Sequence, residues 1–85
     1  KVISSSQIRA GRAMLRWSAV ELAARSGVGV ATIRRLEVEE GVPTSNARTL
    51  SAICKALEAE GVEFIGQPDD QPGVRLVTPR KVDPI

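Results

Sequence analysis

Residues 18–37, SAVELAARSGVGVATIRRLE, contain two short helical patterns separated by a glycine-bearing turn. Ser18 is suited to cap the first helix, and Glu21, three residues later, would complete a capping box. Gly27 stands where a helix ends in a left-handed residue, a conformation that glycine adopts without steric cost. The stretch therefore predicts a helix, a tight turn and, opened by Gly29, a second helix.

The second helix of this stretch, residues 30–37, has two different faces. Its aliphatic side chains Ile33 and Leu36 are spaced to point inward. The opposite face carries a small residue and two arginines: Ala31, Arg34 and Arg35. A short helix with exposed guanidinium groups fits the major groove of DNA, where arginine pairs with guanine. We therefore interpret residues 18–37 as a helix-turn-helix motif.

The composition restricts the class of protein. The 85 residues are 42% hydrophobic but only 2% aromatic, which predicts one small domain with an aliphatic core. One cysteine and no histidine exclude an intramolecular disulfide and a Cys/His zinc site, and they favour a reducing, cytoplasmic setting. No apolar run approaches the roughly 18 residues of a membrane span, and no signal-peptide pattern is recognised.

Charge is distributed unevenly along the chain. The net charge is +2, but residues 1–58 carry nine Lys and Arg against five Glu, a net of +4. Residues 59–85 carry three Lys and Arg against five Asp and Glu, a net of −2. The basic surplus coincides with the helix-turn-helix, as expected for a surface that faces phosphates.

A first helix is predicted over residues 5–16, with Ser4 as its cap and Gln7 completing a capping box. Arg12 falls on the apolar face of this helix, and Glu37 lies one turn after the buried Ile33. A buried charge needs a partner, so we expect an ion pair between Arg12 and Glu37.

A fourth helix is predicted from the loop at residues 41–46 to about residue 60. Gly41 would end the preceding helix, and Asn46 or Ser45 would cap the new one. Its buried stripe follows helical spacing: Leu50, Ile53, Cys54 and Leu57. Cys54 is interpreted as a small buried hydrophobic residue.

The pattern changes to short strands after Gly61. Residues 62–65 and 74–77, separated by GQPDDQPG, predict a β-hairpin, in which Asp69 and Asp70 form a solvated turn. An isolated hairpin is marginally stable, so it needs the helical core or a second subunit to cover it. We expect it to form the dimer surface, with Phe64 and Ile65 packed across a two-fold axis.

The spacing of these residues resembles the lambda-repressor-like (XRE) helix-turn-helix family. The resemblance rests on Ile8, Arg9, Ala10, Arg12, Leu15, Trp17, Ser18, Leu22, Ala23, Gly27, Val28, Thr32, Ile33, Arg35, Leu36 and Glu37. It implies a mainly α domain of four to five helices, here over residues 1–60. The strand pattern described above adds a small hairpin at 61–78, and the prolines and mixed charge that follow predict a flexible tail at 79–85. Members of the family commonly join an arginine and a glutamate at the positions of Arg12 and Glu37.

The resemblance also implies a DNA-binding surface. Val30, Ala31, Thr32, Arg34 and Arg35 would lie in the major groove. Phosphate contacts are expected at the starts of the second and fourth helices: Ser18, Ala19, Thr44, Ser45, Asn46 and Arg48. Two residues depart from the family pattern, since Ala19 replaces a common glutamine and Arg16 a common glycine. Trp17 has two interpretations, core packing and base stacking, of which packing is preferred.

The sequence predicts a sequence-specific DNA-binding transcriptional regulator of bacterial or phage type, a repressor acting as a homodimer. The alternative is a protein-interaction module on the same scaffold, such as an antitoxin or a coactivator-like domain. No catalytic constellation is recognised, and no cofactor, metal, membrane or small-molecule effector is expected.

Overall fold

The computed structural model describes residues 2–77, which form four helices followed by an antiparallel hairpin. The elements are α1 (Ser5–Met14), α2 (Ala19–Ser26), α3 (Val30–Val38), α4 (Ala47–Ala59), β1 (Val62–Gln67) and β2 (Asp70–Leu76). The mainly α fold with a C-terminal hairpin is confirmed. The tail predicted at residues 79–85 lies outside the described residues.

One aliphatic core joins the four helices and β1. Its fully buried members come from every one of these elements and from the segment before α1: Ile3, Ile8, Leu22, Ile33, Leu36, Ile53, Leu57 and Val62. Gly11 lets α1 pack closely against the start of β1, because a Cβ at this position would lie 3.2 Å from Val62 Cγ1. Cys54 is buried as predicted, while Leu50 and Trp17 are half-buried against the core.

The caps of three helices follow the sequence. Ser4 and Gln7 form the predicted capping box at α1, and the Asn46 side chain accepts from the Thr49 amide at the start of α4. Ser18 accepts from the Glu21 amide at α2. The reciprocal half of that box was wrongly predicted, because the Glu21 carboxylate instead accepts from Arg25 one turn later, at 2.7 Å.

Two helix ends differ from the prediction. α1 ends at Met14 rather than residue 16, and Arg16 takes the left-handed conformation, with a φ of 59°. α3 ends at Val38 because Glu39 is already extended. The prediction that Gly41 terminates this helix is therefore wrong: Gly41, with a φ of 68°, bends the chain in the loop that follows.

The hairpin is longer than predicted and α1 covers one of its faces. The strands continue through the glutamines and glycines of the predicted loop and leave only Pro68 and Asp69 as the turn. Gln7, which is buried, donates from Nε2 to the carbonyl oxygens of Ile65 and Gly73, both at 3.0 Å. The same side chain thus caps α1 and anchors the hairpin.

Candidate nucleic-acid interface

The outer face of α3 carries the residues that the sequence predicted there. Ala31, Arg34 and Arg35 are exposed, and Ile33 and Leu36 are fully buried on the opposite face. The predicted groove residues Val30 and Thr32 are half-buried at the edges of the outer face. Val38, which was not among the predicted residues, ends α3 on the same side and is 79% exposed. Val38 follows Arg34 by four residues and Ala31 by seven, and this helical spacing would have predicted it on the same face.

The turn between α2 and α3 sets the position of α3. Gly27, with a φ of 76°, donates its amide to the Ala23 carbonyl, and Ser26 accepts from the Val28 amide. Val28 packs against the core, so the turn is held from inside as well as along the backbone. The two helices of the motif are therefore fixed relative to each other.

Side chains of α1 hold the C-terminal end of α3. The last carbonyls of a helix lack donors within the helix. Ser5 supplies one by donating from Oγ to the Leu36 carbonyl at 2.6 Å, and Arg9 supplies another to the Glu37 carbonyl. These two donors lie one turn apart on α1, so a single face of α1 completes the end of α3.

The predicted ion pair between Arg12 and Glu37 is confirmed. Arg12 donates from Nε and Nη2 to the two carboxylate oxygens of Glu37, each at 2.8 Å, and Glu37 is buried. These hydrogen bonds raise the pKa of the Arg12 guanidinium above its ordinary value. A third donor, Nη1, contacts the Trp17 carbonyl at 2.9 Å. The pair therefore joins α1, the start of the helix-turn-helix and α3.

Trp17 has the packing role that was preferred for it. Its ring lies against the core, and the Arg25 guanidinium is 4.8 Å from the ring centroid. One guanidinium thus covers the ring in the position that a stacked base would need.

The starts of α2 and α4 carry the predicted phosphate-facing residues. Ser18 is exposed, whereas the Ala19 side chain is half-buried against the core, which leaves its backbone amide as the group available to a ligand. At α4, Thr44, Asn46 and Arg48 are exposed and Ser45 is half-buried. Backbone amides at helix starts are suited to bind phosphate oxygens.

The two adjacent arginines of α3 have different surroundings. Arg35 donates from Nη1 to Glu39 Oε2 at 2.9 Å and to the Thr44 carbonyl at 3.1 Å. Within residues 2–77, the Arg34 side chain has neither a hydrogen bond nor an ion pair. The two were predicted to be equivalent because Glu39, four residues after Arg35, was not considered. That spacing is the signal for a helical ion pair.

Other kinds of site find no support in the described part of the chain. Residues 2–77 contain no cluster of acidic or cysteine side chains suited to a metal ion. Asp69 and Asp70 are exposed at the tip of the hairpin. No helix among the same residues is long and apolar enough to cross a membrane.

Comparison with protein families agrees with this geometry. A family model described as helix-turn-helix, of the lambda-repressor-like (XRE) type, matches residues 8–64, about two-thirds of the chain. The chain belongs to the lambda-repressor-like (XRE) helix-turn-helix family. A search of curated proteins found no match. The family is one of DNA-binding regulators. The matched residues include four of the five positions that join α1 to α3, Arg9, Arg12, Leu36 and Glu37, while Ser5 precedes them.

Proposed function

We propose that this protein is a sequence-specific transcriptional repressor that binds DNA as a homodimer, with α3 in the major groove. The observation that carries the proposal is the exposed Arg34 on α3, which has no partner among residues 2–77. A free guanidinium forms two parallel hydrogen bonds to guanine O6 and N7. Membership of the helix-turn-helix family supports DNA as the partner.

In this proposal, the flanking helix starts hold the DNA backbone. The amides of Ser18 and Ala19 bind one phosphate, and Thr44, Ser45 and Asn46 with Arg48 bind another. Val30, Ala31 and Thr32 line the base edges beside Arg34, where the aliphatic groups can meet a thymine methyl. Phosphate contacts set the register of α3, and base contacts then select the sequence.

A single reading helix covers few base pairs, which favours two copies with their α3 helices about 34 Å apart, one turn of DNA. The hairpin is the surface that we propose for this contact. Of the two residues predicted to pack across the two-fold axis, Ile65 is exposed, whereas Phe64 is half-buried against the core of its own chain. We therefore propose that Ile65 makes this contact together with the exposed Leu76 and Val77. Sedimentation of the wild type should show a dimer, which Ile65→Glu weakens. A monomer at high micromolar concentration would contradict this part of the proposal.

The main experiment is selection of bound duplexes from random DNA. The wild type should enrich a palindrome, and its affinity should fall steeply with salt because bound phosphates release counterions. Arg34→Ala should lose the preference at one base pair in each half-site, where a bidentate arginine contributes about 1–3 kcal/mol. No enrichment, with weak binding that salt does not change, would instead indicate the protein-interaction module.

Repression is tested separately from binding. A dimer that occupies promoter DNA blocks the polymerase without needing any further domain. A reporter whose promoter overlaps the selected palindrome should therefore lose expression when the protein is produced. Increased expression would identify an activator.

A further inference from the structure

One residue of α3 and two of the loop that follows it form a closed set of hydrogen bonds, which we name the Arg35 clamp: Arg35, Glu39 and Thr44. Glu39 Oε2 accepts from Arg35 Nη1 at 2.9 Å, and Glu39 Oε1 accepts from the Thr44 amide at 2.7 Å. Arg35 Nη1 also donates to the Thr44 carbonyl at 3.1 Å. Each member therefore contacts both of the others.

The clamp fixes the chain between α3 and α4. Thr44 lies two residues before Asn46, which caps α4, so holding both polar groups of Thr44 sets the direction in which the chain enters that helix. The first half of the same loop is held independently, since the Ser5 amide donates to the Gly41 carbonyl at 2.8 Å. Buried Pro43 lies between these two attachments.

The clamp also changes what Arg35 can do. Its guanidinium is about half exposed, but its charge is compensated by the Glu39 carboxylate, and one of its nitrogens already serves two acceptors. Among the described residues, only Nε and Nη2 stay free for a ligand, and moving the guanidinium away from Glu39 toward a base would break the hydrogen bonds of Nη1. Arg34 has no such contacts to lose. The two neighbours are therefore suited to different tasks.

We propose that Arg35 is a positioning residue, which holds the start of α4 in place for phosphate contact, while Arg34 is the arginine that determines sequence preference. The inference rests on the proposed function, in which the outer face of α3 meets DNA. Arg35 then contributes to the affinity for DNA but not to base preference, whereas Arg34 sets the base preference.

The test compares two glutamates that follow each other in the chain. Glu39→Ala and Glu40→Ala remove the same negative charge, but only Glu39 belongs to the clamp; Glu40 is exposed. Removing a negative charge near DNA strengthens binding through electrostatics alone. We expect Glu40→Ala to strengthen binding to the selected duplex slightly and Glu39→Ala to weaken it by about fivefold, the upper end of what an exposed ion pair contributes.

A second measurement asks which arginine sets base preference. Selection with Arg35→Ala should return the wild-type sequence at reduced affinity, while Arg34→Ala should return an altered one. The proposal is overturned if Glu39→Ala strengthens binding as Glu40→Ala does, or if Arg35→Ala changes the selected sequence. The first result would mean that the clamp does not position the start of α4 for binding, and the second that Arg35 contacts bases.

The clamp can also be tested without DNA, so that its failure is distinguishable from failure of the proposed function. Hydrogen exchange at the Thr44 amide should be slow in the wild type and in Glu40→Ala, and faster in Glu39→Ala and Arg35→Ala. Equal exchange in all four proteins would contradict the clamp. A wild type that binds no duplex would refute the proposed function, and with it the positioning role on DNA, even if the exchange result held.

Discussion

At its C-terminal end α3 is tied to α1 by three side chains, whereas its N-terminal end begins at Gly29, which has no side chain to cap the helix. The first end is buried around Leu36 and Glu37; the second is followed by the exposed Ala31. Stabilising contacts are thus collected at one end of the helix. The free amides and side chains at the other end remain available to a ligand.

The C-terminal end of α3, tied to α1, is called the anchored end. The largest expected effect comes from breaking its ion pair between Arg12 and Glu37. Glu37→Ala leaves the Arg12 guanidinium without its carboxylate, and loss of one half of a buried pair destabilises by about 3 kcal/mol. Because Arg12 is about a quarter exposed, the value lies at the low end for such pairs. Urea unfolding followed by circular dichroism measures it.

Two variants serve as controls for this prediction. Glu40→Ala removes an exposed carboxylate from the same region and should change the free energy of unfolding by less than about 0.5 kcal/mol. The double variant Arg12→Met, Glu37→Leu removes both charges and should recover much of the loss, because hydrophobic pairs often replace buried ion pairs without cost. Equal destabilisation by Glu37→Ala and Glu40→Ala would show that the anchor contributes nothing.

The sequence was sufficient for features that depend on local spacing. The caps at Ser4 and Asn46 and the inward-pointing Ile33 were predicted because each depends on residues within one or two helical turns. The partnership of Arg12 with Glu37 is long-range, yet it could be predicted because both charges fell on apolar faces and had no local partner.

Contacts that join distant segments through backbone groups were not predicted. Gln7 was recognised as a cap, but nothing in its surroundings indicates that its amide also holds the carbonyls of Ile65 and Gly73. The same holds for Thr44, whose backbone completes the Arg35 clamp. Every residue carries the same amide and carbonyl, so a backbone partner has no sequence pattern. The hairpin turn was placed too wide for a related reason: Gly66 resembles a loop residue but lies within a strand bulge.

A smaller effect is expected from Ser5, another contact of the anchored end. Ser5→Ala removes the donor to the Leu36 carbonyl and leaves that buried acceptor unpaired, which should destabilise by about 1–2 kcal/mol. Thermal unfolding of the variant measures the loss, with Ser51→Ala, at an exposed serine of α4, as the control. Similar melting temperatures for the two variants would mean that water replaces the Ser5 hydroxyl.

The smallest effect tests the N-terminal end of α3, which begins at Gly29 and is called the open end. The backbone of Gly29, with φ −60° and ψ 144°, suits any residue, and a Cβ there would meet nothing within 4 Å. Gly29→Ser and Gly29→Asp should both cap the Thr32 amide and stabilise the protein by about 0.3 kcal/mol in urea unfolding. The two variants differ in charge, so a comparison of their affinities for DNA tests whether this end of α3 lies near phosphates.

If the open end of α3 lies against phosphates, Gly29→Asp should weaken binding to duplex DNA at low salt while Gly29→Ser should leave it nearly unchanged. The same added charge at the anchored end, in Val38→Asp compared with Val38→Ser, should have less effect on affinity, because screening reduces the repulsion with distance from the phosphates. An equal loss at both ends would mean that α3 lies flat along the groove. Its two ends would then differ in how they are stabilised but not in how near they come to the DNA.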